Sequence, residues 1–244
     1  MLRYKFIIQY DGSYFSGWQF QKNKMTVQGL LEEALKKISK TKERIPVYGA
    51  GRTDAGVHAW GQVAHADINL NLNNNDMQNA LNGNLPDYCR ISKVEKVSKN
   101  FHSRYNAKSR FYRYQCYTGN SILFRNQSWM LSGLDVDYLN SLSKHLIGEK
   151  NFLSFSKFNN KIKNTNCIIF DCKWSRSGSM ITFKIKANRY LHHMIRYLVG
   201  TIIAIEQKKY SENEFQLLLE RPKKNVKIFK APAQGLILEK INYV

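Results

Sequence analysis

Residues Arg3 to Tyr10 alternate with period two: Tyr4, Phe6, Ile8 and Tyr10 fall on one face, Lys5 and Gln9 on the other. A strand packed on a core along one face has this pattern. Asp11-Gly12-Ser13 breaks it as a turn, and Gly17 leaves room for close backbone approach before Trp18-Gln19. Helical spacing takes over at Leu30, Leu31, Ala34, Leu35 and Ile38, with Thr26 placed to cap the first turn. A short strand over Ile45–Tyr48, a glycine-rich loop from Gly49 to Gly56 and a strand over Gln62–Ile68 follow. Asn69 to Asn75 reads as a polar loop, Asp76 as the cap of a short helix through Leu81, and Ile91–Val97 and Arg110–Tyr117 as strands.

The pattern then begins again. A helix is predicted from Val136 to about Ile147, then strands over Ile168–Trp174 and Met180–Ala187. A long helix runs from about Tyr190 to Glu206, a shorter one over Glu212–Leu219, and a last strand over Gly235–Ile241. Helices alternating with antiparallel hairpins predict an α+β fold rather than a doubly wound parallel sheet. Two sequential halves are expected, 1–105 and 106–244; their element order is loosely similar, with no sequence repeat.

Charge changes the picture next. Lys and Arg number 38 against 18 Asp and Glu, a net charge of +20, yet 43% hydrophobic and 13% aromatic content exclude a disordered polycation. The longest nearly unbroken apolar stretch, Tyr197 to Ile205, is far short of the roughly 20 residues of a membrane span. Met1-Leu2-Arg3-Tyr4-Lys5 enters the first strand without a signal-peptide pattern, so a cytoplasmic location is expected. Cys89, Cys116, Cys167 and Cys172 form no Cys-x-x-Cys and have no His at zinc-finger spacing, which predicts reduced, partly buried thiols and no structural metal. The positive charge is spread along the chain and mixed with aromatics, as a phosphate-binding groove with base-stacking platforms requires. From Phe101 to Tyr114, Arg104, Lys108, Arg110 and Arg113 stand among aromatic rings.

Gly49-Ala50-Gly51-Arg52-Thr53-Asp54-Ala55-Gly56-Val57-His58 is the most unusual segment. Three glycines in eight residues imply tight turns and room for a ligand beside the backbone. By spacing alone, Arg52 and Asp54 read as a local ion pair with an Asx turn. A phosphate loop is a poor alternative, because no Lys-Ser or Lys-Thr follows the final glycine. His58 invites a general-base role, but a histidine bonded to backbone is expected. His192 and His193 are adjacent, so on a helix they diverge by about 100°, and no carboxylate motif accompanies them; no metal is expected.

The Gly-Arg-Thr-Asp-Ala-Gly-Val-His run resembles the catalytic signature of the bacterial-type tRNA pseudouridine synthase A family. Four further segments are similar to that family in the same order: Tyr10 to Gln19; Phe101-His102-Ser103-Arg104 with Arg110 to Tyr114; Leu191 to Arg196 through Gly200; and Ala231 to Leu236. The resemblance implies the pseudouridine synthase fold, with two α/β-sandwich-like halves, mainly antiparallel sheets and a central basic cleft. It implies a cofactor-free isomerisation in which uridine's N1–C1′ bond breaks, the base turns and a C5–C1′ bond forms, with Asp54 as nucleophile. Attack on C6, attack on C1′ and assistance to glycosidic cleavage all remain open. Desolvation would raise the pKa of that carboxylate, so a cation must oppose it.

By resemblance that cation is Arg196, at the edge of a helix face made by Ile195, Leu198, Val199, Ile202 and Ile203; by pattern alone it reads as a snorkelling surface arginine. Tyr112, by pattern a core aromatic, is implied to stack on the uracil and to help proton transfer at C5. Arg52 is implied to assist nucleotide flipping. Arg104, Lys108, Arg110 and Arg113, extended by Lys22 and Lys24, become the RNA-contact surface. A homodimer is implied, with one tRNA contacting both copies at uridines 38 to 40 of the anticodon stem-loop. The chain departs from the family at Asn151, where aspartate is expected, at Ser156, where arginine is common, and at Lys230, where threonine is usual; Lys161 to Thr165 lacks a Ser-Arg-Thr run. The same chemistry on another RNA, and a non-catalytic RNA-binding protein on this scaffold, are the alternatives.

Overall fold

The computed structural model describes residues 1–157 and 164–244. Among these residues the chain is a mixed, mostly antiparallel α+β protein with ten strands and five helices. It divides into two compact units, Met1–Lys108 with Ile237–Val244, and Ser109–Leu236.

The first unit contains β1 (Leu2–Tyr10), α1 (Val27–Ile38), β2 (Tyr48–Gly49), β3 (His58–Ile68), α2 (Asn74–Asn82) and β4 (Cys89–Val97). Its sheet runs β4-β1-β3 with antiparallel pairing, and β2 adds to β3. The alternation of β1 does its work: Tyr4, Phe6, Ile8 and Tyr10 are all buried. Tyr4 and Phe6 lie opposite Ala66 and Ala64, large residues facing small ones. The register then shifts between Ile8 and Tyr10, bringing Tyr10 opposite Ala59. Thr26 caps α1 by accepting from the Gly29 N–H, and Leu31, Ala34 and Leu35 are buried on that helix.

The second unit contains β5 (Ser109–Tyr117), β6 (Trp129–Met130), α3 (Val136–Lys144), β7 (Gly148–Asn151), β8 (Asn166–Ser177), β9 (Met180–Ala187), α4 (Met194–Glu206) and α5 (Glu212–Glu220). Its sheet runs β5-β9-β8-β7, antiparallel throughout, with β6 parallel to β5 at the edge. Trp174 of β8 and Phe183 of β9 pack at 4.7 Å between centroids, and the Trp174 indole N–H donates to Ser143 Oγ at 2.9 Å. The apolar face of α4 is buried as its pattern predicts. The closing strand β10 (Leu236–Asn242) runs parallel to β3, with Ile237 opposite His58 and Leu238 opposite Ala59. All of β10 but Leu236 thus clusters with the first unit, not with the C-terminal half in which the sequence reading placed it.

Several boundaries differ from expectation for physical reasons. No strand forms over Ile45–Val47; Pro46 lacks an N–H, and the Val47 N–H donates to the Glu32 carboxylate at 3.1 Å. β3 begins at His58, four residues before Gln62, because β10 pairs with its start. Asn73, not Asp76, caps α2 by accepting from the Asp76 N–H. α3 ends at Lys144. α4 begins at Met194 rather than Tyr190, because His193 has φ 65°, a left-handed backbone that stops a helix. β6 and β7 escaped prediction: one has two residues, and the other, Gly-Glu-Lys-Asn, has no apolar alternation. The four cysteines are free thiols, three of them fully buried. Burial pushes Cys167 up to about 11 and Cys89 and Cys172 up to about 12, which keeps them protonated near neutral pH.

Candidate active-site residues

The segment Gly49–His58 leaves β2 and returns into β3, and β1 with its following turn holds it from one side. The Trp18 N–H donates to the Thr53 carbonyl at 3.1 Å, and the Gly56 N–H to the Phe15 carbonyl at 3.4 Å. The Tyr10 hydroxyl lies 2.8 Å from Thr53 Oγ1, both groups buried. Gln62 Nε2 donates to the Gly51 carbonyl at 3.1 Å, and within the loop the Val57 N–H closes a turn onto the Asp54 carbonyl at 3.2 Å. This packing requires glycine at position 17. Its φ is +98°, and a Cβ there would stand 2.9 Å from the Thr53 carbonyl oxygen and 3.2 Å from the Ala55 nitrogen.

The loop therefore holds Asp54 half buried on a backbone tied down immediately before and after it, while Arg52 projects to solvent. His58 is buried and tied to backbone: its Nδ1 accepts from the Gly12 N–H at 3.1 Å. Asp11 Oδ1 is also 3.1 Å from that nitrogen, but one ring nitrogen cannot accept from Gly12 and donate to Asp11 at once. The Gly12 amide hydrogen is fixed by the backbone, so the bond from Gly12 is the one this geometry supports.

In the second unit, alternation on β5 turns Tyr112, Tyr114 and Cys116 into the core. Tyr112 meets Tyr190 edge to face, with centroids 5.2 Å apart, and the Tyr190 hydroxyl donates to the Arg110 carbonyl at 3.3 Å. Arg110 in turn donates from Nη1 to the Asn188 carbonyl at 2.6 Å. Burial, then the neighbouring Tyr112, holds the Tyr190 phenol well above its ordinary pKa, so it remains an O–H donor. The Tyr114 hydroxyl donates to the Pro232 carbonyl at 2.8 Å; burial raises its pKa, and the positive charge of Arg196 opposes that rise.

Arg196 lies in the first turn of α4, joined to the segment before β10 by two reciprocal bonds. Its Nε donates to the Ala231 carbonyl at 2.8 Å, and its own carbonyl accepts from the Ala231 N–H at 2.9 Å. One turn on, Gly200 makes this approach possible: a Cβ there would lie 2.5 Å from the Phe229 oxygen and 2.6 Å from the Ala231 nitrogen.

The basic stretch from Phe101 to Tyr114 is divided between the two units. Arg104 and Lys108 are exposed on the first unit, while Arg110, Tyr112 and Arg113 belong to the second. Phe111 and Arg113 point away from Tyr112, on the other face of the sheet. There Arg113 pairs in register with Lys184, and Lys184 with Lys173, a row of three cations across three strands. Like charges directly opposite destabilise a sheet, and an anion against this face would offset that. Lys186 Nζ stands 5.1 Å from the Phe111 ring and 5.6 Å from the Phe170 ring on the same three strands.

The departures at positions 151 and 156 have local explanations. Asn151 Oδ1 accepts from the Leu153 N–H at 3.0 Å and from Thr165 Oγ1 at 2.7 Å, capping work that an aspartate would also do. Ser156 Oγ donates to the Leu153 carbonyl at 3.0 Å. Lys230 is exposed. Asn164 and Thr165 lie within the described residues, whereas Lys161, Ile162 and Lys163 lie outside them. Sequence reasoning missed Tyr10, Gly17 and Gln62 as supports of the Asp54 loop and Ala231 as the partner of Arg196. The signal for the first group was Gly17 beside a buried-strand pattern, and for the second it was Gly200 on an otherwise bulky helix.

The family model described as tRNA pseudouridine synthase matches residues 6–106 and 142–244. A protein named tRNA pseudouridine synthase A from Bacillus licheniformis is 34% identical over 245 residues, covering 99% of each chain. Relatives of the same name from Geobacillus kaustophilus and Borreliella afzelii are each 36% identical, covering 99% and 97% of this chain and 94% and 97% of their own. A solved Cbf5-Nop10-Gar1 complex aligns over 96% of this chain and 57% of the matched one, at a TM-score of 0.40 and 11% identity.

Proposed function

This chain belongs to the tRNA pseudouridine synthase family, and on that premise we propose how its own residues divide the reaction. The protein is an isomerase that converts uridine to pseudouridine in tRNA. The N1–C1′ bond breaks, the base turns, C5 bonds to C1′ and loses its proton, and N1 gains one. Asp54 is the nucleophile, and Tyr112 stacks on the uracil and assists at C5. Arg196 supplies the cation that pairs with the Asp54 carboxylate, a role suited to a guanidinium that cannot lose its proton. Arg52, exposed beside Asp54, takes the place or the phosphate of the flipped nucleotide. Arg104, Lys108, Arg110 and Arg113 hold the RNA.

The observation that carries this reading is the Asp54 loop, a half-buried carboxylate on a backbone fixed by Trp18, Phe15 and Tyr10. A group that must meet a reacting atom within a fraction of an ångström needs such a support. The target is uridine 38, 39 or 40 in the anticodon stem-loop, the reaction needs no cofactor or metal, and the enzyme works as a cytoplasmic homodimer.

Tritium release from C5-tritiated uridine in unmodified tRNA tests the chemistry. Wild type releases tritium without added metal or cofactor; Asp54→Asn binds the same tRNA and releases none. A variant retaining a tenth of the rate would remove Asp54 as nucleophile. Cytidine at positions 38 to 40 abolishes release if the target is correctly assigned, and light scattering of the free enzyme reads the dimer.

A further inference from the structure

The first unit carries a group of rings that the proposed reaction does not use. Tyr48, at the start of β2, stacks on His65 of β3 with centroids 5.2 Å apart and planes 23° apart. His65 meets His102 at 4.7 Å, and His102 lies 4.2 Å from Tyr105 at 32°. The outer members face solvent, Tyr48 at 52% and Tyr105 at 76% exposure. The Arg104 guanidinium is 5.9 Å from the centre of the Tyr105 ring.

This group is held in place from below. His65 Nδ1 lies 2.9 Å from Ser103 Oγ, and that hydroxyl donates to the Tyr48 carbonyl at 2.6 Å. Tyr243 donates to the Ser103 carbonyl at 2.7 Å. His102 Nδ1 accepts from the Arg104 and Tyr105 N–H groups at 3.1 and 3.3 Å, which fixes the loop that presents Tyr105. Burial, then neighbouring positive groups, pushes His65 down to about 4 and lowers His102, so both rings are neutral at pH 7. The acidic groups nearby are engaged, Asp67 by Arg3 at 2.7 Å and Glu95 by Lys5 at 2.9 Å. What this face offers a partner is therefore fixed, uncharged ring surface edged by positive charge.

We propose that Tyr48, His102 and Tyr105, flanked by Arg104, form a stacking platform for an unpaired nucleobase of the RNA substrate, other than the uridine that reacts. Every base has a π face, and an aromatic ring beside a guanidinium is the chemistry that takes up such a face next to its phosphate. A folded protein partner is the less suited occupant, because exposed cations such as Arg104 and Lys108 complement a polyanion. Tyr48 precedes Asp54 by six residues, so the two lie within about 20 Å along the chain, close enough for one RNA arm to engage both. The inference rests on RNA being the substrate.

The test measures affinity for unmodified fluorescent tRNA by anisotropy, with wild type, Tyr105→Leu and Tyr105→Phe. Leucine keeps the bulk and loses the π face, so its Kd rises about fivefold or more; phenylalanine keeps the face and stays within about twofold of wild type. The slope of log Kd against log salt is the same in all three, because no phosphate contact is removed. Tyr48→Leu repeats the comparison at the other end. Thermal melts report folding, and the exposure of Tyr105 predicts no shift. Leucine and phenylalanine variants that bind alike, whether as wild type or equally weakened, overturn the platform while tritium release by wild type leaves the isomerase reading standing. A wild type that neither binds nor isomerises tRNA overturns both.

Discussion

The bond between Tyr10 and Thr53 gives the sharpest quantitative expectation. Tyr10 is 5% exposed and Thr53 7%, and their oxygens are 2.8 Å apart. Tyr10→Phe removes one hydroxyl and leaves the other buried, at a cost of about 1–3 kcal/mol, and Thr53→Val does the reverse at similar cost. If the two hydroxyls satisfy each other, the double variant costs less than the two single ones together, by about 0.5–1.5 kcal/mol. For a chain of this length, Tm falls by roughly 2–4 °C per kcal/mol. Burial holds the Tyr10 phenol well above its ordinary pKa, so the donor persists throughout any practical assay range.

Two assays read the cycle: urea unfolding for the energies and tritium release for the catalytic effect. Thr53 precedes Asp54, and the Thr53 carbonyl is itself held by Trp18. Loosening this point moves a carboxylate that must meet its target closely, so kcat falls about tenfold or more in Tyr10→Phe while tRNA affinity holds within about twofold. Strict additivity, with a coupling below about 0.3 kcal/mol, would refute the bond. A Tyr10→Phe protein with wild-type stability and kcat would refute the support role as well.

Gly200→Ala drives a methyl group into the Phe229–Ala231 backbone; it costs about 1–3 kcal/mol in a thermal or urea melt and lowers kcat, because the two bonds between Arg196 and Ala231 cannot both survive the shift. An unchanged melt would mean that α4 does not approach that segment. His65, depressed to about 4 from an unfolded value near 6.5, contributes stability that is complete above pH 6.5 and lost as pH falls toward 4, since the unfolded chain binds the proton first. His65→Gln should flatten the stability profile over that window; an unaltered slope would assign the loss to other groups. Affinity for tRNA should fall steeply with salt, and a flat response would remove phosphate contact from the binding account.

How far the sequence could be read depended on the range of the cause. Tyr4, Phe6, Ile8 and Tyr10 were legible because alternation is local, and Thr26 because a cap bonds three residues ahead. The start of α4 was not: Leu191, His192 and His193 fit a helical spacing, and only the left-handed backbone at His193 ends it. The missing strand over Ile45–Val47 turns on Glu32, a buried carboxylate bonded to Arg44 Nε at 2.8 Å and to the Val47 N–H at 3.1 Å. A side chain 15 residues away thus took the N–H that a sheet neighbour needed. The Asp54 loop stood out by composition, but its supports from β1 and the turn after it lie 35 or more residues earlier in the chain. Arg196 was legible through a family resemblance and a helix edge, whereas its bonds to Ala231 cross 35 residues and leave no local pattern.

The parallel pairing of β10 with the start of β3 bears on the order in which this protein can be made. His58 closes the loop that carries Asp54, and its sheet neighbour Ile237 leaves the ribosome 179 residues later. The Lys108 N–H likewise waits for the Asn242 carbonyl, 2.8 Å away, and Ser103 for Tyr243. Domains usually complete themselves in the order of synthesis. Here the first unit holds an open sheet edge beside its reactive loop until Ile237 and Leu238 have been made. A nascent chain that stops before Ile237 would therefore carry the full Gly-Arg-Thr-Asp sequence without a finished scaffold around it, and competence would wait for a strand made 179 residues after His58.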